Sequence, residues 1–79
     1  MSNQYIDKNI TLTLEFDRYL ASHPNAYNKI PKGSCVVITK EGDSSFNKVS
    51  QKIAEGSSEK CVEAHKVGRN WIIRSLGQG

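Results

Sequence analysis

The sequence predicts an α+β domain of α-β-α-β-β order, and three observations carry that prediction. A segment of about 17 residues free of Gly and Pro comes early, an apolar β-branched run leads into a capped amphipathic stretch, and two short runs flank a Gly68-Arg69 pair. The strands should form a three-stranded mixed sheet with both helices packed on one face.

The first segment, Ile6 to Ser22, supports two readings. Ile10, Leu12, Leu14 and Phe16 alternate with Thr11, Thr13 and Glu15 as in a half-buried strand. At helical spacing, Ile6, Ile10 and Leu14 fall at i, i+4 and i+8, and Leu12, Phe16, Tyr19 and Leu20 form an adjoining stripe, giving one broad apolar face. The length favours helix, because a strand averages about 5 to 6 residues. Pro24 disfavours helical geometry at His23 and ends the element, and Asn25 through Gly33 reads as a loop or short turn.

Cys35 to Thr39 is continuously apolar and β-branched until its last residue, as expected of a central strand covered on at least one face. Lys40-Glu41-Gly42-Asp43-Ser44 has turn chemistry, with Asp43 or Ser44 placed to accept from the free N–H groups of a following helix. Phe46, Val49 and Ile53 mark that helix. Lys52 sits in its last turns, and Gly56 is expected to end it in the left-handed conformation.

Cys61 to Val67 and Trp71 to Leu76 read as strands joined by a two-residue turn with Gly68 at its first central position. Pairing Val67 with Asn70 sets Lys66 opposite Trp71, His65 opposite Ile72, Ala64 opposite Ile73, Glu63 opposite Arg74 and Val62 opposite Ser75. One face then carries Val62, Ala64, Trp71 and Ile73, and the other, facing solvent, carries Glu63, His65, Ile72 and Arg74. The first two strands should lie parallel through a right-handed crossover, with the third antiparallel beside the second.

Phe16-Asp17-Arg18-Tyr19-Leu20, His23-Pro24, and Ile30-Pro31-x-Gly33 followed by Val36-Val37 resemble a family of short uncharacterised prokaryotic proteins. The resemblance covers roughly residues 5 to 40 and implies a helical first segment followed by a βαβ unit. It implies no activity, and the C-terminal part, with Gly68-Arg69 and Trp71, departs from the family pattern.

At 79 residues the chain is one domain whose core only just offsets the entropy of ordering, roughly 1.5 kcal/mol per residue. Self-association is a common remedy, so a homodimer or a protein partner is expected. Two cysteines, Cys35 and Cys61, are too few for a secreted disulfide framework, and no basic start with an apolar stretch marks a signal peptide. A cytoplasmic protein without a membrane span is expected, with Gly77-Gln78-Gly79 as a frayed tail. The net charge of +3, eleven Lys and Arg against eight Asp and Glu, permits a polyanionic partner without requiring one.

Candidate chemistry is sparse. Cys61 and His65 stand four residues apart on a strand, roughly 13 Å, too far for a nucleophile and base. Cys35, Cys61, His23 and His65 are zinc-ligand types at spacings unlike those of structural zinc sites. Gly42-Asp43-Ser44-Ser45 precedes a helix N-terminus but lacks the Gly-rich, Lys-bearing pattern of a phosphate loop, so it reads as a cap. Glu63, His65 and Arg74 are a possible cluster for an anion or for acid and base work, or a plain cross-strand ion pair. Lys66, Arg69, Arg74 and His65 are the candidate nucleic-acid or anion contacts, although Trp71 falls on the core face, where it cannot stack on a base. Tyr5, Tyr19, Tyr27 and Phe16 serve either the core or a partner surface. The expectation is a binding or assembly module that is not an enzyme and has no catalytic residues, cofactor or metal, with weak nucleic-acid binding through the basic C-terminal hairpin as the alternative.

Overall fold

In the computed structural model, residues 3–76 are described, and the expected tail, 77–79, lies outside them. The order is α1 (Asn3–Ser22), a single helical turn α2 (Pro24–Tyr27), β1 (Cys35–Lys40), α3 (Ser44–Glu55), β2 (Cys61–Val67) and β3 (Asn70–Ser75). β2 is the middle strand, parallel to β1 and antiparallel to β3, so the fold is α+β with a three-stranded mixed sheet. No helix among the described residues is long and apolar enough to cross a membrane.

The hairpin forms in the expected register at all six pairs, from Val67 with Asn70 to Val62 with Ser75. Gly68 is what permits the tight connection. Its φ is 61°, while Arg69 has no positive φ, which is the pattern of a two-residue turn needing glycine only at its first central position. Register then fixes which side chains share a face.

One face of the sheet holds the apolar core. Ile38, Ala64 and Trp71 meet Leu12 and Phe16 of α1 and Phe46 of α3, with Tyr5, Tyr19, Leu20, Ile30 and Ile73 packed around them. Both long helices therefore contribute to one cluster. Phe16 lies against Trp71 with ring centroids 4.9 Å apart, and the Tyr5 ring lies at the same distance from Phe46. The Tyr5 hydroxyl is hydrogen-bonded to that of Ser50, which has no exposed surface.

α1 departs from the expected broad apolar face. Leu12 and Phe16 are buried, but Ile6, Ile10 and Leu14 are more than half exposed. The reason is angular. Two residues turn about 200° round a helix, so Ile10 and Leu14 point almost opposite to Leu12 and Phe16 instead of adjoining them. α3 shows the same selectivity, burying Phe46 and Ser50 while Val49 and Ile53 face water.

The end of α3 is a second departure. Gly56 has φ −83° and ψ −2°, so the helix stops without a left-handed residue. The Gly56 N–H donates to the Lys52 carbonyl and that of Ser57 to the Ala54 carbonyl, and these tight turns satisfy the last carbonyls in right-handed geometry.

Candidate functional site

The opposite face of the sheet was expected to be solvated, and at β1 and β2 it is not. Val37, Thr39, Cys61 and Glu63 are buried, and the exposed residues of that face, Asn70, Ile72 and Arg74, stand on the edge strand β3. The carboxylate of Glu63, on the middle strand, is enclosed by side chains from all three strands. Thr39 of β1 stands level with His65 of β2, and Arg74 of β3 stands level with Glu63.

The contacts of this cluster converge on the Glu63 carboxylate. The Thr39 hydroxyl donates to Glu63 Oε2 at 2.5 Å, and its oxygen lies 2.7 Å from His65 Nδ1. A hydroxyl has one proton, and an ionised carboxylate accepts only, so Nδ1 of His65 carries the proton donated to Thr39. Arg74 Nη2 completes the set, 3.2 Å from the same carboxylate oxygen. The imidazole and hydroxyl thus lead towards the carboxylate from β2 and β1, and the guanidinium meets the same carboxylate oxygen from β3.

The Thr39 hydroxyl has no exposed surface, so its oxygen does not open on a cleft. The cluster locks β1, β2 and β3 together by satisfying a buried charge, whose desolvation otherwise costs several kcal/mol. It is more than the solvated ion pair the sequence suggested, because Thr39 seals the carboxylate.

The four candidate anion contacts fall on different surfaces. His65 and Arg74 belong to the Glu63 cluster on one face. Lys66 projects from the other face, forms an ion pair with Glu15 of α1, and stands 6.0 Å from the Trp71 ring centre. Arg69 is exposed in the hairpin turn. Trp71 itself is buried, as its register required. A shallow hollow of about 320 Å³ nevertheless brings Arg18, His23, Lys66 and Arg69 around one opening beside Glu15.

Asp43 caps α3, accepting from the Phe46 N–H at 3.3 Å, while Lys8 of α1 donates to its other oxygen at 2.5 Å. These two bonds, that from Lys8 foremost, hold the Asp43 carboxyl below its ordinary range. The helix N-terminus is thus occupied by the chain's own carboxylate.

The sequence reading missed the pairing of the two cysteines. Cys35 and Cys61 are direct partners at the start of β1 and β2, and both are free thiols. Burial, then the neighbouring Cys61 thiol, pushes Cys35 up to about 11. His23 lies elsewhere, stacked on Tyr19 at the end of α1, and among the described residues no three His, Cys, Asp or Glu gather as metal ligands.

The model of a family of unknown function, DUF5647, matches residues 4–64 of this chain. The chain belongs to that family. The match to DUF5647 runs from α1 into β2, including Cys35, Thr39, Cys61 and Glu63, and stops before His65, Arg74 and the hairpin turn. Comparison with curated proteins and with solved structures found no match.

Proposed function

We propose that this DUF5647 protein is a non-catalytic assembly module of the cytoplasm, associating with itself or with a protein partner through the outer face of α1. The observation that carries the reading is the stripe Ile6, Ile10 and Leu14, exposed at 53%, 54% and 58% on a helix whose other stripe fills the core. Burying what remains exposed on each contributes roughly 1 kcal/mol. Next to it, an apolar groove of about 270 Å³ runs between α1 and the edge strand β1, lined by Leu20, Tyr27, Ile30 and Val36. The non-catalytic reading is supported by the Glu63 cluster, whose hydroxyl is sealed and whose carboxylate is committed to Thr39 and Arg74.

Light scattering coupled to size exclusion at increasing protein concentration tests this reading. A mass that rises towards a dimer supports it, and a monomer at every concentration leaves only a foreign protein partner.

One observation favours a second reading, weak nucleic-acid binding at the hairpin end: the hollow that collects Arg18, His23, Lys66 and Arg69. Saturable, salt-sensitive binding of a labelled oligonucleotide, lost on Arg69→Ala, would support it.

A further inference from the structure

Cys35 and Cys61 are the only thiols of the chain, and they stand as direct partners on the parallel strands β1 and β2. Neighbouring strands lie about 4.8 Å apart, inside the Cα separation of about 4.4 to 6.8 Å that a disulfide spans. Partners in register on parallel strands project to the same face, and the Cys61 thiol lies within hydrogen-bonding reach of that of Cys35. Each is the first residue of its strand, where the backbone can yield the small approach that bonded sulfurs need.

The geometry points to a reversible two-electron oxidation site, an intramolecular disulfide between Cys35 and Cys61 formed by exchange with a small disulfide that carries no negative charge. Neither cysteine lies on α1, so the site stands apart from the assembly reading. The way in is a cavity of about 410 Å³ lined by Ala54, Glu55, Ser57, Glu59, Cys61 and Leu76. Its two carboxylates repel an anionic reagent and admit a neutral or cationic one.

Exchange runs in two displacements. Cys61, on the cavity wall, loses its proton and its thiolate attacks one sulfur of the reagent. The reagent S–S bond breaks, a mixed disulfide forms on Cys61, and one small thiol leaves with that proton. Cys35 then loses its proton and attacks the Cys61 sulfur, which forms the protein disulfide and releases the second small thiol with the second proton. Two electrons pass from the protein to the reagent, and an excess of a small dithiol returns them.

The surroundings set the pace of the second displacement. Burial first, then the Cys61 thiol and the Glu59 carboxylate, push the Cys35 thiol up to about 11, while the Ser57 hydroxyl favours its thiolate. The share due to Cys61 disappears once Cys61 holds the reagent, so Cys35 is more acidic in the intermediate than in the resting protein. The product bond also changes the sheet. β2 and β3 are joined by a tight turn, whereas β1 and β2 are joined only through α3. A bond between their first residues closes that long connection and removes freedom from the unfolded chain.

The test incubates the folded full chain with cystamine at pH 8 and follows it by intact mass and by peptide mapping without reductant. The expected product is a monomer lighter by two hydrogens, with a peptide linking Cys35 to Cys61, reverted by dithiothreitol and unfolding at a higher urea concentration than the reduced chain. Cys35→Ser is expected to stop at the cystamine adduct on Cys61, which the parent chain passes through. A parent chain that keeps the adduct, dimerises covalently, or stays reduced while a urea-unfolded sample reacts overturns the disulfide. Failure of Cys35→Ser to take up the adduct overturns the order of attack, and a linked chain with an unchanged urea midpoint overturns the strapping of β1 to β2.

Discussion

α1 carries two apolar stripes of similar composition that meet opposite fates. Leu12 and Phe16 are at most 4% exposed and hold the helix to Ile38, Ala64 and Trp71, while Ile10 and Leu14, two residues before each, stand in water. Apolar character does not separate the stripes, because one is Leu12 and Phe16 and the other Ile6, Ile10 and Leu14. What separates them is direction round the helix, and the difference teaches that one face serves folding while the other remains available for a partner. The sheet repeats the contrast in polar form, with an apolar face against Leu12 and Phe16 of α1 and a second face where burial is reconciled with charge through Thr39, Glu63 and Arg74.

The largest expected effect comes from breaking the inner stripe. Phe16→Ala opens a cavity beside Trp71 and is expected to cost about 3 to 5 kcal/mol, enough to unfold much of so small a domain. Urea denaturation followed by Trp71 emission reads it, and a variant as stable as the parent contradicts the placement of the core.

The second face of the sheet is tested through Cys35. A thiol held up to about 11 exposes little thiolate at pH 8, so alkylation of the folded protein should run roughly a hundredfold slower than that of a free cysteine. The sign is fixed by the raised value. Alkylation should accelerate as pH climbs towards 11, and a rate that levels off near pH 9 would show an ordinary exposed thiol.

Glu63→Ala is expected to cost about 1 to 3 kcal/mol by leaving the Thr39 hydroxyl without its acceptor in a buried site. Thr39→Val in the same chain removes the orphaned group and should recover part of the loss, a coupling read by a double-mutant cycle in denaturant. Strictly additive losses would mean that the hydroxyl and carboxylate do not depend on each other.

Much of the fold was legible because local signals agreed. The hairpin register was readable to the residue, since Gly68 fixed the turn and alternation fixed the faces, and of the two cap residues the sequence offered, Asp43 and Ser44, it is Asp43 that caps α3. The candidate cluster was legible only in part. Glu63, His65 and Arg74 could be grouped from the hairpin register, but Thr39 and the Cys35–Cys61 pair depend on how β1 aligns with β2, and no turn joins those strands to set it. A helix of 12 residues intervenes, so sequence offered no register there. The exposure of Ile6, Ile10 and Leu14 was available from helical angles alone, had the two stripes of α1 been kept apart.

The smallest effect on stability and the largest on assembly should come from the outer stripe, so the decisive comparison is Ile10→Glu against the parent chain. Sedimentation equilibrium and urea denaturation on the same samples read both quantities. Loss of self-association with an unfolding free energy changed by no more than about 0.5 kcal/mol is the result expected if the outer face of α1 serves a partner and not the fold. Unchanged association, or unfolding comparable to that of Phe16→Ala, would contradict the division of α1 into a folding face and a docking face.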